Sequence, residues 1–128
     1  MEIIFKTKDF SLTQSVEEYV RKKIASLEKF LKRFNEGLIR VEVELGQTTS
    51  RHRAGDIFRA EINLSAGKKL FRAESEQADI FSAIDEVRDD LEQEIKKDKD
   101  KRETIFLRGA RSIKKKFGLS GLARFKKQ

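Results

Sequence analysis

The sequence predicts an α+β fold in the order β-α-β-β-β-α: a four-stranded sheet with two helices packed on one face, then a basic C-terminal tail. Two stretches with apolar residues at steps of three and four carry the helices. A short N-terminal apolar run and three alternating stretches carry the strands. Strands with one apolar face and two amphipathic helices bury those surfaces together when both helices cover one side of the sheet. At 128 residues the chain suits one domain, read as residues 1–102, with an appendage over 103–128.

Glu2–Lys8 places Ile3 and Phe5 on one side and Ile4 on the other, which is a strand. Ser11 followed by Gln14 has capping-box form, and Thr13 is a rival N-cap. Val16, Tyr19, Val20, Ile24, Leu27, Phe30, Leu31 and Phe34 then predict one long amphipathic helix, ended by Asn35-Glu36-Gly37. Leu38–Leu45 alternates Ile39, Val41, Val43 and Leu45 with Arg40, Glu42 and Glu44, a half-buried strand, and Gly46–Gly55 reads as a polar loop. Asp56–Ser65 turns Phe58, Ala60, Ile62 and Leu64 inward. Ala66-Gly67-Lys68 is a tight turn, and Lys69–Glu74 returns through Phe71 and Ala73. From about Asp79, Ile80, Ile84, Val87, Leu91 and Ile95 mark the second helix, which fades into a solvated charge run over Lys96–Lys101. The first crossover makes strands one and two parallel and right-handed, and the last three strands form an antiparallel meander.

Hydrophobic residues are 38% and charged residues 40% of the chain, so the core is modest and the surface heavily ionised. No apolar run approaches the about 20 residues of a membrane helix, and Met1–Lys6 lacks the form of a signal peptide. The absence of Cys excludes disulfides, thiolate zinc sites and Cys nucleophiles, and the single His excludes a multi-His metal centre. Glycine-rich phosphate loops, nucleophile elbows and HExxH are missing. Carboxylates sit at helical spacing from cations, as Glu18 does from Lys22 and Glu28 from Lys32. The expectation is a cytoplasmic protein that is not an enzyme, with no cofactor, no metal and no small-molecule substrate.

Charge is the informative quantity. Thr104–Gln128 contains no Asp or Glu and carries +8, whereas the preceding 103 residues carry −1. Such asymmetry points to a polyanion partner. Helix one holds Arg21, Lys22, Lys23, Lys29, Lys32 and Arg33 outside its apolar stripe. Helix two is acidic through Asp85, Glu86, Asp89, Asp90, Glu92 and Glu94, with only Arg88 before Lys96 and Lys97. In the tail, Phe106, Ala110, Ile113 and Phe117 keep helical spacing while Arg108, Arg111, Lys114, Lys115 and Lys116 fill the other faces. Gly118 would stop such a helix, and Gly109 within it costs about 1 kcal/mol. The tail reads as partly helical or disordered alone and helical on RNA, while an anionic membrane surface would suit the same pattern. His52 lies between Arg51 and Arg53, where a contact to phosphate or base is the specific reading and an exposed loop histidine the plain one. Candidate nucleic-acid-binding residues are therefore Lys22, Lys23, Lys29, Arg33, Arg51, His52, Arg53, Arg88, Lys97, Lys99 and Lys101, with Arg108, Arg111, Lys114, Lys115 and Lys116 in the tail.

Several segments resemble the ribosome hibernation-promoting factor and ribosome-associated inhibitor family, also labelled sigma-54 modulation proteins. They are Leu12-Thr13, Tyr19-Val20 with Lys23, Leu27-Glu28-Lys29-Phe30, His52-x-x-Gly55-Asp56-x-Phe58-Arg59-Ala60-Glu61-Ile62, Ala73 and Asp79-Ile80-Phe81-Ser82-Ala83-Ile84-Asp85. The last is similar to the family's Asp-Met-Tyr-x-Ala-Ile-Asp, and the resemblance covers about residues 1–102.

The resemblance implies a double-stranded-RNA-binding-domain-like fold that binds the small ribosomal subunit in the decoding channel, through its rRNA and neighbouring ribosomal proteins. There it would silence translation in starved or resting cells. By position, Lys23, Arg33, Lys97, Lys99 and Lys101 match the cations that face rRNA in that family. Asp90-Leu91-Glu92-Gln93-Glu94 departs from the family's Lys-Leu-x-Arg-Gln and lacks two of its cations. The 25 residues from Thr104 to Gln128 cannot hold the long-form dimerisation domain, so a short form is expected, with a basic tail where one short form has an acidic one. A transcription-linked interaction protein and a membrane-surface adaptor acting through the tail are the alternative readings.

Overall fold

A computed structural model describes residues 1–49 and 55–116, with side-chain surroundings given for residues 1–48 and 55–101. The order is β1 (Glu2–Lys8), α1 (Gln14–Ala25), β2 (Ile39–Thr49), β3 (Asp56–Ala66), β4 (Lys69–Gln77) and α2 (Ile80–Lys116). The strands form one mixed sheet in the order β1-β2-β3-β4. β1 runs parallel to β2 with Ile3 opposite Val41 and Phe5 opposite Val43, and β2-β3-β4 is an antiparallel meander.

Period-two alternation gives the sheet one apolar face. Val41, Val43 and Leu45 of β2, Ala60, Ile62 and Leu64 of β3, and Phe71 and Ala73 of β4 are buried there. They share one core with Val16, Val20 and Ile24 of α1 and Ile84, Val87, Leu91 and Ile95 of α2. Full burial of each such aliphatic side chain stabilises by about 1.5–3 kcal/mol.

The opposite face carries charge. Glu44, Glu61 and Glu74 stand directly opposite one another across β2, β3 and β4, an arrangement that is repulsive alone. Arg59 Nη2 resolves it from 2.6 Å to Glu61 and 2.5 Å to Glu74, while its Nη1 lies 3.7 Å from Glu44. Arg72 and Asn63 also bond Glu61, at 3.2 and 3.0 Å. Burial pushes the Glu61 carboxyl up, but Asn63, Arg59 and Arg72 outweigh it and hold it below the ordinary carboxylate range.

Three expectations change. The apolar run from Val16 to Phe34 is not one helix: α1 stops at Ala25, and the chain continues as short 3₁₀ turns over Glu28–Phe30 and Glu36–Leu38. Ser26 turns its hydroxyl back to the Lys23 carbonyl at 2.5 Å. Leu27, Phe30, Leu31 and Phe34 then donate to carbonyls three residues back. Of the two N-caps, Thr13 is the one used, its Oγ1 accepting from the Val16 amide at 3.3 Å.

The loop read over Gly46–Gly55 is shorter. Gly46–Thr49 pairs with Asp56–Arg59, β1 ends opposite Gly46 and β4 opposite Phe58, so Thr48–Thr49 and Asp56–Ile57 project as a two-stranded ribbon. The β3–β4 turn leaves only Gly67 and Lys68 unpaired, with Gly67 at φ 62°. Finally, Lys96–Lys101 is not where α2 fades, because the helix runs on through Lys116. The run contains no Gly or Pro and places Lys96 four residues before Asp100. The chain divides into two compact units, Met1–Ile95 and Lys96–Gln128.

Candidate nucleic-acid interface

The two units differ sharply in charge. Met1–Ile95 has 16 Lys and Arg against 19 Asp and Glu, a net −3, and Lys96–Gln128 has 13 against 3, a net +10. Within the first unit, cations collect on α1 and the turns after it.

Lys22 and Lys29 are exposed, and the Lys29 ammonium lies 5.1 Å from the Phe30 ring centroid. Lys22 and Lys23 occupy the last turn of α1, where the helix dipole favours cations. Lys23 reaches across to α2: its Nζ is 3.1 Å from Asp85 Oδ1, the oxygen that also accepts the Tyr19 hydroxyl at 2.5 Å. The same ammonium sits 5.2 Å from the Tyr19 ring centroid. The hydrogen bond to Asp85 raises the pKa of both groups, keeping Lys23 charged and Tyr19 neutral. Phe81 packs edge-on against Tyr19, with centroids 5.0 Å apart.

Two candidate arginines are engaged within the fold. Arg33 donates to the Phe30 and Ile95 carbonyls, each at 3.2 Å, and lies 4.5 Å from the Phe34 ring centroid. Arg88 donates to Ser26 Oγ at 2.8 Å and to Glu92 at 2.6 Å, leaving its side chain 15% exposed. It ties the end of α1 to α2. The middle of α2 is an acidic surface: burial raises the Asp90 pKa, and Glu86, Asp89 and Glu94 add to it. That agrees with the missing family cations in this stretch.

Lys97, Lys99 and Lys101 are exposed, but the helix does not bring all three together. Lys97 and Lys101, four apart, share a side that Lys99 does not. By backbone position alone, Lys97, Lys101, Arg108, Arg111 and Lys115 fall on one stripe of the continuous helix, and Lys114 and Lys116 fall off it. Reading the charge run and the tail as separate pieces missed this register; the absence of a helix breaker between Lys96 and Lys101 was the signal. Arg51, His52 and Arg53 lie outside the described residues, between the paired ends Thr49 and Asp56 of the β2–β3 ribbon. Phe117 and Gly118 lie outside them as well.

Among the described residues there is no group of three or more His, Cys, Asp or Glu placed to hold a metal ion. No helix among them is long and apolar enough to cross a membrane.

A mixed four-stranded sheet with two helices on one face, and cations on the first helix and the turns after it, defines a small α+β protein with a cationic surface. Residues 3–103 match the family described as sigma 54 modulation protein / S30EA ribosomal protein, and the chain belongs to that family. It is 28% identical over 101 residues to a ribosome hibernation promotion factor of Picosynechococcus, covering 79% of this chain and 50% of that protein. A protein of the same name from Deinococcus radiodurans is 26% identical over 90 residues, covering 70% and 44%. The chain thus spans about half the length of these curated relatives. Among solved structures, the N-terminal domain of Thermus thermophilus Protein Y is similar, with a TM-score of 0.58 and 31% identity over 76% of this chain and 98% of that one. A ribosomal subunit interface protein from Coxiella burnetii shares the fold, with a TM-score of 0.58 and 16% identity over 78% and 99%.

Proposed function

We propose that this chain is a ribosome hibernation factor that binds the small ribosomal subunit in the decoding channel and inhibits translation in stationary phase or under stress. Family membership supports the reading. The observation that carries it is the gathering of Lys22, Lys23, Lys29 and Arg33 on α1 and its following turns, in a unit that is otherwise net acidic.

Lys22, Lys23 and Lys29 meet rRNA phosphates, while Arg33 both holds the turn to α2 and offers charge at its edge. The second unit supplies Lys97, Lys99 and Lys101 and the tail cations Arg108, Arg111, Lys114, Lys115 and Lys116. The segment between Thr49 and Asp56 supplies Arg51, His52 and Arg53. Phosphate contacts give affinity, and the shape of the domain fixes where it sits. Inhibition is by occupancy, so no catalytic group is needed, and the place of action is the cytoplasm.

Sucrose-gradient sedimentation with purified small subunits, paired with cell-free translation, tests this. The expected result is co-sedimentation at low salt with a matching loss of translation. Protein remaining at the top of the gradient would remove the reading.

A further inference from the structure

Where α1 breaks at Ser26, the tightened chain leaves a pocket of about 530 Å³ between the end of the helix, the 3₁₀ turns and the start of β2. Its apolar lining includes Leu31 and Ile39, 2% and 4% exposed, with Phe34 beside them and Ala25 at the helix end. Lys29 and Lys32 also line it, and both are exposed. The volume falls within the about 300–1,000 Å³ range of small-molecule sites, and the apolar side chains, Met1 among them, share the lining with charged ones.

We propose that this pocket takes one unstacked base of the bound RNA. The base lies on the apolar lining, and the phosphates flanking it meet Lys29 and Lys32. Unpaired bases are what a protein can read in RNA, because they can leave their stack for an apolar surface. Lys29 ties the pocket to the cationic surface of α1, so the phosphate chain would already pass its mouth. Two carboxylates, Glu28 and Glu36, also line the pocket. Being acceptors only, they repel phosphate and suit an exocyclic amino group on the base edge. Cations for the backbone and acceptors for the base thus stand around one apolar lining, which gives a reason for an apolar recess within a charged surface. The inference rests on the rRNA-binding reading above.

NMR titration of the full chain with AMP, ribose 5-phosphate and inorganic phosphate tests it. AMP is expected to shift Ala25, Leu31 and Ile39 at millimolar concentrations, and the two base-free probes to shift only the lysines. Ala25→Trp, at an exposed helix end, fills the pocket without changing charge and should weaken the AMP response about tenfold or more. It should still co-sediment with small subunits, but lose protection of one base from chemical modification. An AMP pattern equal to that of ribose 5-phosphate, AMP shifts elsewhere, or a well-folded Ala25→Trp variant that responds like the parent would overturn the proposal. If the parent chain fails to sediment with ribosomes yet gives the pocket shifts with AMP, the ribosomal reading falls and the base pocket stands.

Discussion

Lys23 Nζ lies 3.1 Å from Asp85 Oδ1, and the Tyr19 hydroxyl bonds to that same oxygen, so one carboxylate of α2 fixes two side chains of α1. The lysine is 30% exposed on its side chain, placed by the pair and still accessible to a partner. A surface ion pair of this kind is worth about 0–1 kcal/mol, so positioning is its main consequence.

Tyr19 is the sole tyrosine, which makes the arrangement directly measurable. Asp85 raises its pKa above the ordinary 10.0, so the phenol's contribution to stability is complete below that value and is lost as pH rises through the folded pKa. Asp85→Asn should lower the pH at which tyrosine absorbance titrates. The alkaline stability loss linked to Tyr19 should shrink, because the folded and unfolded pKa values then lie closer together. An unchanged titration would show that Asp85 does not hold the phenol in solution.

The row Glu44, Glu61 and Glu74 makes Arg59 the cation most needed by the sheet. Arg59→Ala should cost about 1–3 kcal/mol in urea unfolding near neutral pH, since Arg72 and Asn63 keep part of the compensation for Glu61. Glu61 titrates below the ordinary carboxylate value, so its stability is present above that value and fades as pH falls through the folded pKa. The variant's deficit should therefore shrink in acid, as Glu61 protonates. A deficit constant with pH would mean that lost packing outweighs charge.

Arg88 and Lys29 separate structure from contact. Arg88→Ala removes the bonds to Ser26 and Glu92 and should lower stability by about 1–2 kcal/mol while changing the salt dependence of ribosome binding little. Lys22→Ala and Lys29→Ala should leave stability within about 0.5 kcal/mol, as exposed sites do. Each should flatten the log–log salt slope of binding by about 0.7–0.9 if it meets one phosphate. Equilibrium unfolding and binding at several salt concentrations measure both effects.

Elements set by core-facing periodicity were legible in the sequence; those set by local competition or by partners far along the chain were not. β1 and the inward faces of β2 and β3 follow directly from alternation. The step after α1 departs from one helix because a 3₁₀ turn also returns a side chain to the same side every three residues, so Leu27 with Phe30, and Leu31 with Phe34, fit either geometry. Gly46–Thr49 lacks alternation because β1 ends opposite Gly46 and β4 opposite Phe58, so Thr48 and Thr49 pair beyond both neighbours. Among the candidate site residues, Lys22 is where helix spacing puts it, while Lys29 stands on the 3₁₀ turn after the helix. The attachments of Arg33 to Ile95 and Arg88 to Ser26 span 62 residues each and leave no local pattern.

The tail separates long-range attraction from recognition. The buried core described for α2 ends at Ile95, and the family match ends at residue 103, so deleting residues 104–128 should leave Met1–Ile95 folded with an unchanged unfolding midpoint. The deletion removes +8 and leaves a chain of net −1, which abolishes most of the attraction to a polyanion. Association with small subunits should slow and weaken, and the remaining salt slope should reflect the cations of α1, Lys97 and Lys101. The protected rRNA positions should stay the same, because shape and local contacts choose the site. Changing Arg108, Arg111 and Lys114 to Lys116 to Gln should reproduce most of the deletion if charge dominates, since Gln keeps the helix. Vesicle flotation with anionic lipid, with and without the tail, provides the opposing test. If Phe106→Ala and Ile113→Ala abolish flotation while the Gln variant sediments normally with ribosomes, the tail docks through its apolar side on a membrane. The first 103 residues would then bind the ribosome without it.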